Sequence, residues 1–305
     1  FLLTRANASP RWLSDQLGYA NALAFDRWTD RRIPPCDALI AISGAGLRTG
    51  TRLQQNGGVF ICDRGSTHQR YQAEITIEEG RIWGIPSSLS DPRDTAREER
   101  IYEAANAIVV PSAYSRQSFV EMGVPGEKVH VIPYGVRLER FAKVADPAAD
   151  TFEVVFVGAV SIYKGFPYLL QAFAGLRHPR KRLRMVGHVP SEMRPLLEKL
   201  PTEGVEVLGH VPQLELKETL GRSHALVLPS IDDGFGMVMN QAMACGCPVI
   251  ASDHTGALDL IHDGSDGYTV PFRNAEAIRD RLQQLADDPY LQCRMCANAL
   301  ATVTR

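Results

Sequence analysis

The stretch DGFGMVMNQAMACGCPVIAS at residues 233–252 reads, without a break, as a tight glycine turn, a helix and a buried strand. Gly234 and Gly236 let the backbone turn closely, and a helix starting near Met237 directs its free N–H groups and positive dipole end back at that turn. The Asp233 side chain hangs beside them, so the loop is suited to a phosphate or diphosphate. The competing reading is an ordinary helix entry in an α/β protein, with Asp233 as its N-terminal cap. The residues that follow favour the first reading. Ala242, Met243, Ala244 and Gly246 are small or slender, as required of a helix pressed against a sheet, and 248–252 (PVIAS) is an apolar strand opened by proline. Loop, helix and strand joined this tightly favour ligand binding outside a sheet edge.

Outward from this segment the pattern repeats. Strands are expected at 154–157, 182–186, 205–208 and 225–228, with helices at 166–176, 191–200 and 214–222 between them. Before them, an apolar strand at 37–42 leads through Ser43-Gly44-Ala45-Gly46 into a helix to about Asn56, and 59–62 is the next strand. A polar helix spans 92–106, a short strand 107–111 and a capped helix 112–122. Such alternation predicts parallel sheets with helices on both faces. The run DPAAD at 146–150 is the best linker, which sets the expected domains at 1–145 and 146–305.

The segment 233–252 resembles the donor-binding signature of glycosyltransferase family 4 (group 1), retaining enzymes of the GT-B fold: an acidic residue, Gly-Phe-Gly, and a second acidic residue eight positions after the first. Other segments support the likeness. Residues 154–158 (VVFVG) with Lys164-Gly165 resemble the family's strand, glycine turn and diphosphate lysine; 205–230 resembles its nucleotide-base region, 129–135 (VHVIPYG) the strand that ends its first domain, and 63–68 (DRGSTH) the place of a histidine facing the transferred sugar. Together they cover about residues 40–288. The fold so implied is two Rossmann-type doubly wound domains facing across a cleft. The chain starts at Phe1 without methionine and stops at Arg305 inside a helical pattern, so both ends read as cut and the N-terminal, acceptor-side domain as incomplete.

The resemblance assigns roles. Asp233, Lys164 and His68 are the expected catalytic residues, and Gly158, Lys164, Gly234, Phe235, Gly236, Met237 and Gln241 the expected donor-binding set. Three positions depart from the pattern: Asp233 and Gln241 stand where the family carries glutamate, and Ala159 where it often carries arginine. Asp233 remains anionic, whereas Gln241 offers a hydroxyl only a neutral, weaker acceptor. The implied chemistry is loss of a nucleotide diphosphate stabilised by Lys164 and the amides of residues 235–237, followed by same-face attack of an acceptor hydroxyl whose proton passes to the departing phosphate. A hexose moves from a nucleotide-sugar to a glycan or lipid-linked acceptor, with no cofactor and no metal. The alternatives are a catalytically weak homologue that binds nucleotide or glycan as a partner subunit, and a sugar-nucleotide epimerase on the same architecture.

Composition narrows the remaining classes. The 305 residues are 45% hydrophobic, enough for two cores, and the net charge of −2 without a long like-charge block does not indicate a nucleic-acid partner. No stretch approaches 18 apolar residues, so no transmembrane helix is expected, and the scattered cysteines suit a cytoplasmic protein with at most peripheral membrane contact. The basic run at 177–184 reads as a solvated helix-to-strand turn, against a contact to phospholipid or an anionic acceptor. Six scattered cysteines read as free thiols. Cys293 and Cys296 have C-x-x-C spacing but no second pair for zinc nearby.

Overall fold

A computed structural model describes residues 11–85 and 91–304. The described residues divide into two compact units, one taking 11–74, 91–110 and 116–132, the other 75–85, 111–115 and 133–304.

The first unit carries four parallel strands in the order β1-β2-β3-β4: β1 (Ala38–Ile42), β2 (Val59–Asp63), β3 (Ala107–Val110) and β4 (Val129–Val131). The first three lie within two residues of their sequence readings, whereas β4 ends at Val131, four residues short of the segment 129–135 read as the strand that ends the first domain. Helix Leu47–Gln55 links β1 to β2, and helix Pro92–Ala104 leads into β3. The latter starts at Asp91, whose side chain accepts from the Arg93 N–H, with proline in the first turn where no N–H is needed. Phe60, Ile101, Tyr102, Ile108 and Phe119 form the core. The edge strand β1 leaves Ile40 and Ile42 exposed.

The second unit is a six-stranded, all-parallel sheet built from β5 (Phe152–Val157), β6 (Lys181–Val186), β7 (Val205–Gly209), β8 (Ala225–Leu228), β9 (Val249–Ser252) and β10 (Gly267–Val270) in the order β10-β9-β8-β5-β6-β7. Numbered from β5, this is the doubly wound order in which the first and fourth strands lie side by side and the topology reverses between them. Consecutive residues of β5 serve opposite faces. Val154 and Phe156 pack with Leu169, Phe173 and Leu282 on one side, while Val155 packs with Leu226, Met239 and Met243 on the other. Helices on both faces explain why β8 and β9 read as unbroken apolar runs, buried at every position.

Three further features differ from the sequence reading. The helix expected at 191–200 is a short turn at Ser191–Met193 followed by helix Arg194–Leu197, because Pro195 fits only the first turn of a helix. The expected boundary at 145/146 falls inside the second unit, where Phe141, 2% exposed, packs with Leu216 and Leu220. Helix Gln69–Trp83, which was not anticipated, starts in the first unit and ends in the second.

Candidate active site

Three neighbouring strands of the second unit end in glycines with positive φ: Gly158 after β5 (151°), Gly187 after β6 (142°) and Gly209 closing β7 (68°). Their backbones are laced together. Gly158 N–H donates to the Val186 carbonyl (2.9 Å), Gly187 N–H to the Gly209 carbonyl (2.7 Å) and Val160 N–H to the His188 carbonyl (2.9 Å). A Cβ on Gly187 would lie 1.9 Å from the Gly158 carbonyl oxygen, so only glycine lets the two turns nest. Lys164 follows the first turn, held just before Gly165, where a Cβ would meet the Pro229 carbonyl oxygen at 1.8 Å.

Beside β5 in the sheet, β8 runs into Pro229 and then the loop of Asp233. Adjacency of β5 and β8 brings together two residues 69 positions apart: the Lys164 ammonium is ion-paired with Asp233 Oδ2. Asp233 Oδ1 turns the other way and accepts from the Gly236 N–H (3.0 Å) and the Phe235 N–H (3.4 Å). The capping and site readings of Asp233 are therefore compatible, one oxygen serving each. Two of the three amides expected to face a diphosphate are occupied by this carboxylate. Gly236 takes φ 80°, and helix Val238–Ala244 begins beyond it with Met237 as an exposed N-cap.

The rest of the loop is anchored from below. The Gly234 carbonyl accepts from the hydroxyls of Ser112 (2.5 Å) and Ser115 (3.0 Å), and Ser112 also caps its own helix by accepting from the Ser115 N–H. Asp232 is buried and accepts from the Tyr114 hydroxyl (2.9 Å). His254, stacked on Phe272 and Tyr114, reaches the Ile231 carbonyl through Nδ1 at 2.9 Å, and burial lowers its pKa. Phe235 is 3% exposed and packs edge-on to Tyr134 and against Gly256, so its ring is a core plug under the turn. Gln241 is half-buried, one turn into the helix, with no side-chain hydrogen bond among the described residues.

The structure thus gathers Gly158, Lys164, Asp233 and the 234–237 turn at the carboxyl ends of β5 and β8. His68 belongs to the first unit and lies past the end of β2 at the start of helix Gln69–Trp83. It is 3% exposed, wedged between Tyr102 and Phe119 with ring centroids 5.0 and 5.1 Å away. Its Nδ1 accepts from the Arg70 N–H (3.2 Å), which leaves the proton on Nε2, and burial lowers its pKa to about 4, so the ring is neutral near pH 7. It lines a cavity of about 400 Å³ together with Arg70, Glu99, Glu103 and Lys128.

Sequence reasoning missed Gly187, Asp232 and the Ser112–Tyr114–Ser115 anchor. A signal for Gly187 was present: the strands end alike, in Val157-Gly158, Val186-Gly187 and Leu208-Gly209. For the anchor there was none, since serines and a tyrosine at the start of a helix do not reveal what they face.

Comparison with known proteins bears on the family and the fold. The family model described as "Glycosyl transferases group 1" matches residues 139–301, and that described as "Glycosyltransferase Family 4" matches 65–140. A D-inositol 3-phosphate glycosyltransferase of Streptomyces bingchenggensis is 31% identical over 237 residues, 68% of this chain and 52% of the relative. An alpha-D-kanosaminyltransferase of Streptomyces kanamyceticus is 29% identical over 69% of this chain and 59% of the relative. The chain thus spans only about half the length of the first of these. Among solved structures, sucrose-phosphate synthase from Thermosynechococcus elongatus superposes with a TM-score of 0.78 at 22% identity, covering 98% of this chain and 76% of that one. Anabaena HepE, solved with UDP-glucose, gives 0.68 at 18% identity over 93% and 77%. With a family model covering more than half of its length, and the two-sheet architecture shared with these structures, the chain belongs to the group 1 glycosyl transferases.

Proposed function

We propose that the chain carries the donor site of a retaining glycosyltransferase that moves a hexose from a nucleotide-diphosphate sugar to a glycan or lipid-linked acceptor. The observation that carries this reading is the Lys164–Asp233 pair set at the reversal point of the second sheet, beside a glycine-lined turn. An ammonium at 30% side-chain exposure remains within reach of a ligand, and its present partner is an anion that a diphosphate can replace. The Gly158 turn admits the diphosphate to close backbone approach, and Gln241 offers its carboxamide to the ribose hydroxyls.

In the reaction the bond between the anomeric carbon and the diphosphate oxygen breaks. Lys164 stabilises the charge that grows on the departing oxygen, the acceptor hydroxyl attacks from the same face, and the departing phosphate takes its proton. Asp233, freed from Lys164, accepts from hydroxyls of the sugar while still ordering the turn. The test is transfer from UDP-, GDP- and ADP-hexoses to a panel of polyol, glycan and polyprenyl-phosphate acceptors, with product configuration read by NMR. A product with the donor's anomeric configuration, formed by the wild type and not by Lys164→Ala, supports the proposal; an inverted product overturns it.

A further inference from the structure

The second unit holds a cavity of about 550 Å³ at the opposite end of its sheet, by the start of β5 and the residue preceding β8, away from the donor loops. Its volume is that of a small-molecule site, and its walls are mostly apolar, with Phe152, Ala297 and Leu300 among them. Four polar side chains break that surface, one of which, Gln292, donates from Nε2 to the His224 carbonyl (3.2 Å) and to Cys296 Sγ (3.1 Å). The Thr151 hydroxyl is buried and has no hydrogen-bond partner among the described residues. His224, 8% exposed, accepts the Glu153 N–H at Nδ1 (3.0 Å), so its proton sits on Nε2, for which no partner exists among the described residues. His178 accepts the Arg180 N–H at Nδ1 (3.2 Å) and likewise carries its proton on Nε2.

Phe152 lies between the two imidazoles, with centroids 5.0 Å from His224 and 5.9 Å from His178. The charges at the rim, Lys143 and Asp146, neutralise one another at 2.5 Å. Donors are thus gathered around an aromatic floor without a net charge to match. Cys293 and Cys296 lie on the same wall, and no group of three or more metal-ligating side chains occurs among the described residues.

We infer that this cavity is a second ligand site, for an uncharged aromatic molecule whose carbonyl or ether oxygen accepts from His224 Nε2–H and the Thr151 hydroxyl. An unsatisfied buried donor is costly, so a ligand oxygen that satisfies it binds where a purely apolar ligand of the same shape leaves the cost in place. The site lies outside the donor loops and its occupant does not compete with a nucleotide.

Acetophenone, ethylbenzene and benzoate form a matched set of probes, with binding followed through the Cε1–H resonances of His224 and His178 in the full chain. Acetophenone is expected to shift both resonances saturably, with ethylbenzene roughly fivefold weaker. Thr151→Val is expected to narrow that difference, and Ala297→Trp, at an exposed position of the wall, to abolish binding while leaving the urea unfolding midpoint near that of the wild type. The inference is overturned by absence of a saturable shift, by equal binding of acetophenone and ethylbenzene, by tightest binding of benzoate, or by binding that survives Ala297→Trp.

Discussion

Replacing Lys164 by alanine separates stability from ligand binding. In the free protein the ammonium is paired with Asp233, at 30% and 18% side-chain exposure respectively. An ion pair so open to solvent contributes at most about 1 kcal/mol, so the variant should keep its fold. A charge-assisted hydrogen bond to a phosphate oxygen is worth about 1.5–3 kcal/mol, so affinity for a nucleoside diphosphate should fall about 10- to 150-fold. The assay is thermal unfolding against UDP, GDP and ADP. For the wild type, ligand at 100 times its dissociation constant stabilises by about 2.7 kcal/mol, and the same concentration should add only about 0.3–1.4 kcal/mol to the variant. Asp233→Asn is the counterpart: it retains an oxygen for the Phe235 and Gly236 amides, releases Lys164, and should bind the bare diphosphate at least as well as the wild type while losing transfer. Equal stabilisation of wild type and Lys164→Ala by the preferred nucleotide, across a full titration, would refute the assignment of Lys164 and with it the reasoning from the sheet's reversal point.

The remaining predictions concern backbone, buried charge and pH. Gly187→Ala places a Cβ 1.9 Å from the Gly158 oxygen at a φ of 142°, so it should cost at least about 1–3 kcal/mol in urea unfolding and weaken nucleotide binding, although it touches no ligand. Gln241→Glu should tighten donor binding or raise turnover; no change in either would remove Gln241 from the site. Glu79 is fully buried, accepting from Trp83 Nε1 and Arg273 Nε at 2.7 Å each, so Glu79→Ala should destabilise the second unit by about 3–5 kcal/mol, read by Trp83 fluorescence in urea. His68 and His224 have folded pKa values of about 4, lowered by burial from about 6.5. Between those values the unfolded chain binds protons that the native state refuses, so stability should fall as pH drops from about 6.5 to 4, by on the order of 3 kcal/mol for each ring. His224→Gln should flatten that slope in urea titrations, and an unchanged slope would contradict the burial argument.

Much of the site was legible because its parts are local. The alternation of strand and helix, the glycines at strand ends, and the turn at 233–237 all follow from neighbours within a few residues. Resemblance then attached roles to Lys164, Asp233 and Gln241. The anchor on the Gly234 carbonyl was not legible, because Ser112 and Ser115 lie 122 and 119 positions away, and a serine opening a helix reads only as a cap. His68 could be placed past a strand end but not in its aromatic cage, since Tyr102 and Phe119 come from different helices. The burial of the Phe235 ring against Tyr134 and Gly256 was likewise not legible, since Phe235 was expected to act through its backbone amide.

By itself the sequence determined two parallel α/β sheets and the segments that bear the chemistry, because hydrophobic periodicity and turn residues act over short distances along the chain. Tertiary structure decided the order of strands. Only by laying β8 beside β5 does the sheet bring Lys164 onto Asp233, and the packing of 111–115 beneath Gly234 anchors the turn from a distant part of the chain. The physical reason is that strand order is set by the total burial of both sheet faces, a sum over many distant residues, whereas each strand and turn is set by its own few.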